Sequence, residues 1–134
     1  MLERVGPLAA KLGIKPGQLV VLNGAPAGWT VPDLPEKVSV LATAERADVV
    51  VAFFGNASDL RSQVSALGEV VKPAGSLWLA WPRRAGGHSS DITDNVVRAA
   101  VLPLGLVDVK VAALDYDWSA LKIVWRKELR TAGP

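Results

Sequence analysis

A single histidine, His88, follows Gly86 and Gly87 and precedes Ser89, Ser90 and Asp91. Imidazole titrates near neutral pH, so His88 is the natural candidate for a general base. Its serine and aspartate neighbours have the right types for a nucleophilic triad, but side chains adjacent in sequence diverge, and a solvated loop histidine is the alternative. Just upstream, Arg83 and Arg84 follow Trp81 and Pro82. Paired guanidinium groups suit an anion, and Trp29 and Trp81 offer faces on which a planar ligand could stack. Alternatively both indoles plug the open end of a sheet and both arginines face water. The segment Asp115, Tyr116, Asp117, Trp118, Ser119 sets two acids around a tyrosine and then a tryptophan. It is either the lip of a pocket, with Asp117 pairing Arg83 or Arg84, or a turn whose Asp117 and Ser119 bond local backbone while Trp118 anchors it.

Composition removes several classes of chemistry. The chain has 134 residues, 15 Lys+Arg against 13 Asp+Glu, one His and no Cys. Without cysteine there are no disulfides, thiolate zinc sites, iron–sulfur clusters or thiol nucleophiles, and one histidine cannot anchor zinc. A net charge of +2 gives no footprint for nucleic acid. Lys122, Arg126, Lys127 and Arg130, beside Glu128, suit instead a guarded edge strand. Half the residues are hydrophobic, enough for a packed core rather than disorder. This length predicts one domain, with residues 127–134 as a loose tail. No run approaches the ~18 apolar residues of a membrane span, and residues 1–7 lack the apolar stretch of a signal peptide, so a cytoplasmic protein is expected.

Short apolar runs alternate with amphipathic segments. Residues 8–12 predict a short helix stopped by Gly13, and residues 18–23 a strand apolar on both faces. Pro26, Pro32 and Pro35 forbid a long helix between that strand and the next, at residues 38–41. Residues 48–54 predict a third strand. Asn56 then caps a helix on which Leu60, Val64, Leu67 and Val71 form one stripe. Residues 77–81 predict a fourth strand. Ser89 or Ser90 is expected to cap the next helix, with Asp91 and Asp94 in its first turn offsetting the helix dipole. Two strands in succession, residues 107–111 and 120–125, predict a terminal hairpin at the sheet edge. The sum is a three-layer α/β domain, a mainly parallel sheet with an antiparallel end.

Two stretches resemble the S-adenosylmethionine-dependent methyltransferases of Rossmann-like fold. Val20-Val21-Leu22-Asn23-Gly24-Ala25-Pro26-Ala27-Gly28 resembles their first strand and loop. Ala47-Asp48-Val49-Val50-Val51, the helix behind it and Val71-Lys72-Pro73-Ala74-Gly75-Ser76-Leu77 are similar to a later strand, helix and turn. Over nearly its full length the chain also looks like a small bacterial family of unknown function. That likeness rests on Lys15-Pro16-Gly17-Gln18, the loop from Asn23 to Trp29, Trp81-Pro82-Arg83-Arg84, Ser90-Asp91-Ile92-Thr93 and above all Asp117-Trp118-Ser119-Ala120-Leu121. It implies a fold and no established activity.

Against the methyltransferase pattern, Pro26 stands in the place of the middle glycine, removing an N–H donor. The first strand ends in neutral Asn23 rather than an acid. Ala42 and Thr43 close the second strand where an acid for ribose is expected, with Glu45 a few residues on. Residues 42–48 are too few for a crossover helix. The expectation is a non-catalytic Rossmann-like domain without a cofactor, binding a small molecule or a protein partner beyond the strand ends. Asn23, Gly24, Gly28, Trp29 and Asn56 would serve on one side, and Trp81, Arg83, Arg84, Asp117 and Trp118 on the other. Two alternatives stay open: an S-adenosylmethionine-dependent methyltransferase with an altered site, and a structural homo-oligomer.

Overall fold

The computed structural model describes residues 5–130. Pro7, which lacks an N–H that the first turn would leave unpaired anyway, opens α1 (Pro7–Leu12). Gly13, at φ 75°, closes it. Six strands follow in chain order: β1 (Leu19–Asn23), β2 (Ser39–Leu41), β3 (Val49–Phe53), β4 (Ser76–Pro82), β5 (Leu106–Ala113) and β6 (Trp118–Trp125). They form one sheet in the order β2-β1-β3-β4-β6-β5. The pairs among β1 to β4 are parallel, and β6 runs antiparallel to both β4 and β5. The expected three-layer α/β architecture with a terminal antiparallel hairpin is the observed one.

Burial explains this arrangement. All five residues of β3 are buried, as befits an apolar strand covered on both faces. On one face, Val50, Ala52, Leu77, Leu79, Leu121 and Ile123 pack against α2 (Ala57–Val70) and α3 (Asp94–Val101). On the other, Val49, Val51, Phe53, Trp78 and Ala120 pack against α1 and the proline-bearing loop, through Ala9, Leu12, Val31 and Trp29. Between β1 and β2 the chain forms turns and no helix, as Pro26, Pro32 and Pro35 dictate. After β2 the strap of residues 42–48 returns beneath the sheet on the α2 face, where Ala44 and Ala47 join the core.

The start of α3 differs from expectation. Neither Ser89 nor Ser90 is its cap; Thr93 Oγ1 accepts from Val96 N at 3.2 Å. Ile92 is 3% exposed, and burying it keeps the chain extended one turn longer. Ser90 Oγ instead accepts from Ile92 N at 3.1 Å. Asp91 lies outside the helix and serves a different one: its Oδ1 accepts from Ala57 N, at the start of α2, at 2.8 Å. Asp94 does sit in the first turn of α3.

At the far end, Trp125 Nε1 donates to the Gly68 carbonyl at 2.9 Å, tying β6 to α2. Residues 127–130, part of the segment expected as a tail, form the short α4 (Lys127–Arg130); residues 131–134 lie outside the described residues. Among the described residues no helix is long and apolar enough to cross a membrane.

Candidate functional site

Strand order reverses at β1, whose neighbours are β2 on one side and β3 on the other. Open α/β sheets bind ligands in the crevice outside the strand ends at such a point. Beside this point a crevice of about 320 Å³ lies on the α2 face of the sheet, running from Asn23 at the carboxyl end of β1 to Val50 near the start of β3 and Val70 at the end of α2. Val21 and Val50 form its floor and Leu67 and Val70 of α2 its wall. Asn23 stands at the end of β1, Thr43 and Ala44 on the strap, and Ser62, Gln63 and Ala66 on the middle turns of α2. Every polar group in this lining is a neutral amide or hydroxyl. The shortness of β2 and the absence of a helix behind it leave the crevice uncovered.

The loop above β1 is built as a turn. Trp29 N donates to the Pro26 carbonyl at 2.9 Å, and Gly24 and Gly28 hold φ of 70° and 78°. A Cβ on Gly24 would meet the Phe53 carbonyl at 3.2 Å, whereas one on Gly28 would meet nothing within 4 Å. Gly28 thus serves backbone conformation rather than a close approach.

A second constellation closes the opposite face. Trp29, Phe53 and Trp118 stack edge to face, with centroids 4.8 Å and 5.0 Å apart. Asp115 organises it. Its Oδ2 accepts from Trp29 Nε1 at 2.9 Å, and its Oδ1 accepts from Asp117 N at 2.8 Å and Trp118 N at 2.9 Å. Local backbone bonding in this turn therefore falls to the Asp115 carboxylate, the role the sequence suggested for Asp117 and Ser119. Trp29, Thr30, Pro7, Leu8 and Asp115 border an open apolar hollow of about 480 Å³.

Asp117 pairs with neither arginine. His88 Nε2 donates to its Oδ1 at 2.8 Å. Arg83 bonds backbone instead, its N–H donating to the Asp117 carbonyl at 2.7 Å and its Nη1 to the Tyr116 carbonyl at 3.2 Å. Gly86 permits this closure, since a Cβ there would collide with the Tyr116 carbonyl. Arg84 and His88 border a hollow of about 220 Å³ with Trp81, Ser90 and Thr93. Ser90 Oγ donates to the Gly55 carbonyl at 3.4 Å and the Asp91 carboxylate accepts from Ala57 N, so no Ser–His–Asp relay is assembled.

The ten candidate residues therefore fall into separate places. Asn23 lines the crevice; Gly24 shapes the loop above it, and Gly28 borders the hollow beside Trp29. Asn56 is committed to α2, its Oδ1 accepting from Asp59 N at 2.9 Å. Trp29 and Trp118 belong to the core of one sheet face and Trp81, 8% exposed, to the core of the other. One ligand cannot lie between Trp29 and Trp81. Arg83, Arg84 and Asp117 gather at the end of β4.

Thr43, Ser62, Gln63 and Ala66 join the crevice without having stood out in the sequence as candidates. Gln63, Ala66 and Val70 recur at helical spacing beside the Leu60–Val64–Leu67 stripe, which was the available signal for the crevice wall. The strongest charge pairing lies elsewhere: Arg98 Nε donates to Asp108 Oδ2 at 2.9 Å and Arg98 Nη1 to Asp94 Oδ2 at 3.1 Å. The hydrogen bond from Arg98 holds the Asp108 carboxyl below its ordinary value, against an opposing push from burial. Arg98 is correspondingly raised, chiefly by Asp108.

No family model and no curated protein matches the chain. Solved structures do. Magnesium protoporphyrin IX methyltransferase from Synechocystis, with S-adenosylmethionine bound, superposes with a TM-score of 0.60 at 11% identity, over 89% of this chain and 74% of that one. The fibrillarin pre-rRNA processing protein of Methanococcus jannaschii gives 0.57 at 16% identity, over 91% and 70%. An S-adenosylmethionine-dependent methyltransferase from Aquifex aeolicus gives 0.55 at 15% identity, over 85% of each chain. The fold is Rossmann-like and methyltransferase-like, as the resemblance in the sequence implied.

Proposed function

We propose that this chain is a non-catalytic binding protein of methyltransferase-like fold, whose crevice between β1, β3 and α2 takes a small, uncharged, partly apolar molecule. The observation that carries this is the crevice lining. About 320 Å³ of space at the strand-order reversal is floored by Val21 and Val50 and edged only by neutral amides and hydroxyls. That volume is at the small end of the ~300–1,000 Å³ typical of ligand pockets. Amides orient a ligand through hydrogen bonds but do not exchange protons near neutral pH, so the lining offers binding without acid–base chemistry.

S-adenosylmethionine fits these residues poorly. Its ribose is ordinarily met by an acid, and no acid lines the crevice. No helix follows the β1 loop to direct N–H groups at the ligand. Pro26 contributes no donor there, and the N–H of Trp29 is already given to Pro26. A second reading, a methyltransferase with an altered site, draws its support from the likeness to a structure with that cofactor bound.

Ala66 is exposed and lines the crevice, so Ala66→Trp fills the space without disturbing the core. Native mass spectrometry of the chain purified from cells tests the proposal. A neutral small-molecule adduct on the parent chain that Ala66→Trp lacks is the expected result. An adduct retained unchanged by Ala66→Trp, or one with the mass of S-adenosylmethionine or its demethylated product, overturns it.

A further inference from the structure

Away from the crevice, on the face of the sheet opposite α2, three unfavourable features coincide. Trp78, at the middle of β4, is 0% exposed, and its Nε1 has no hydrogen-bond partner. A buried indole N–H without an acceptor has lost its hydration and gained nothing in return. Its neighbour across the β4–β6 ladder is Lys122, and the neighbour of Lys122 across the β6–β5 ladder is Lys110. Like charges directly opposite one another repel. Lys122 is half-buried, and its ammonium is lowered first by that burial and then by Lys110. Lys110 Nζ lies 5.8 Å from the centroid of the Trp78 ring. Among the described residues neither lysine is paired with a carboxylate.

The polar groups of these three side chains are all donors: one indole N–H and two ammonium groups, none able to accept. The face of the Trp78 ring receives Lys110 Nζ in a cation–π contact, but no member of the set accepts the indole N–H or neutralises either ammonium, and a chain seldom keeps such a conflict without a use for it. One kind of partner relieves all three features together, an anionic acceptor. It would take the indole hydrogen, separate the two positive charges and pair with both. A β-bulge between Asp108 and Lys110 places the latter opposite Lys122 on this face while Asp108 turns to Arg98 on the other. The bulge thus removes the nearest carboxylate of β5 from the lysine pair.

We propose that Trp78, Lys110 and Lys122 form a binding site for an oxyanion, a phosphate or a carboxylate group, on the face of β4, β6 and β5 opposite α2. The indole N–H supplies direction and the two lysines supply charge, with their flexible stems moving aside to admit the ion.

Titration of the isotope-labelled full chain tests this, following the five indole N–H signals by NMR. The Trp78 signal is assigned by its through-space contacts to neighbouring strands. Inorganic phosphate and acetate are added separately, with chloride at matched ionic strength as the control. The expected result is a saturable downfield movement of the Trp78 signal with phosphate or acetate and none with chloride; the tighter of the two names the source chemistry. Lys110→Met and Lys122→Met keep the apolar stems and should each weaken binding about tenfold or more, the loss expected for one hydrogen bond to a charged group. A Trp78 signal that stays still, that follows chloride equally, or that saturates as tightly in both folded variants overturns the proposal.

Discussion

Replacing Asp115 tests whether the aromatic cluster at the strand ends is held by its own side chains. Its carboxylate accepts three hydrogen bonds, from Trp29 Nε1, Asp117 N and Trp118 N. A shielded bond to a charged group is worth about 1.5–3 kcal/mol. Asp115 is exposed, however, and in Asp115→Ala both backbone N–H groups regain water. The sum is therefore discounted to about 1.5 kcal/mol, or roughly 5–7 °C in Tm for a chain this size. Asp115→Asn keeps Oδ1 for the two backbone donors but turns an NH₂ toward the indole N–H of Trp29. It should melt between the parent and Asp115→Ala. In a Trp29→Phe background, where that N–H is absent, the asparagine variant should lose little more. Circular dichroism melts of the five proteins form a double-mutant cycle. Asp115→Ala melting within about 1 °C of the parent, or asparagine and alanine variants that coincide, would refute the assignment.

Two further outcomes follow from the capping and ion-pair geometry. Asp91→Ala leaves Ala57 N without its partner at the start of α2 and should cost about 1 kcal/mol in chemical denaturation. Asp91→Asn, which retains an oxygen acceptor, should cost less. Asp108 has a folded-state pKa below its unfolded value, so it stabilises the protein above the ordinary carboxylate range and loses that contribution as pH falls through the lowered value. The Tm difference between the parent and Asp108→Asn should hold above about pH 4 and shrink below it. A difference that grows on acidification would contradict the assignment.

The sheet was legible because its signals are local and redundant. The buried strand β3 is an unbroken apolar run, and the stripe of Leu60, Val64, Leu67 and Val71 states the period of α2. The proline-bearing loop was legible for the same reason, since proline acts on its own backbone. Contacts between distant segments were not. Asp91 looks like part of its own helix until the fold carries it to Ala57, 34 residues away in sequence. Asp117 looks like a partner for arginine until the turn sets it against His88. Trp29 and Trp81 have the same chemistry, and only the alternation of faces across the sheet assigns them to separate cores. The crevice was hidden because its walls come from strand residues, a strap and one side of α2, none of which bears a distinctive motif.

Isothermal titration calorimetry with S-adenosylmethionine bears most directly on whether the crevice suits an uncharged molecule rather than a nucleoside cofactor. The neutral lining of Asn23, Thr43, Ser62 and Gln63 predicts no saturable heat at millimolar cofactor. Micromolar binding that disappears in Asn23→Ala or Gly28→Val would contradict the account and return the chain to the methyltransferases.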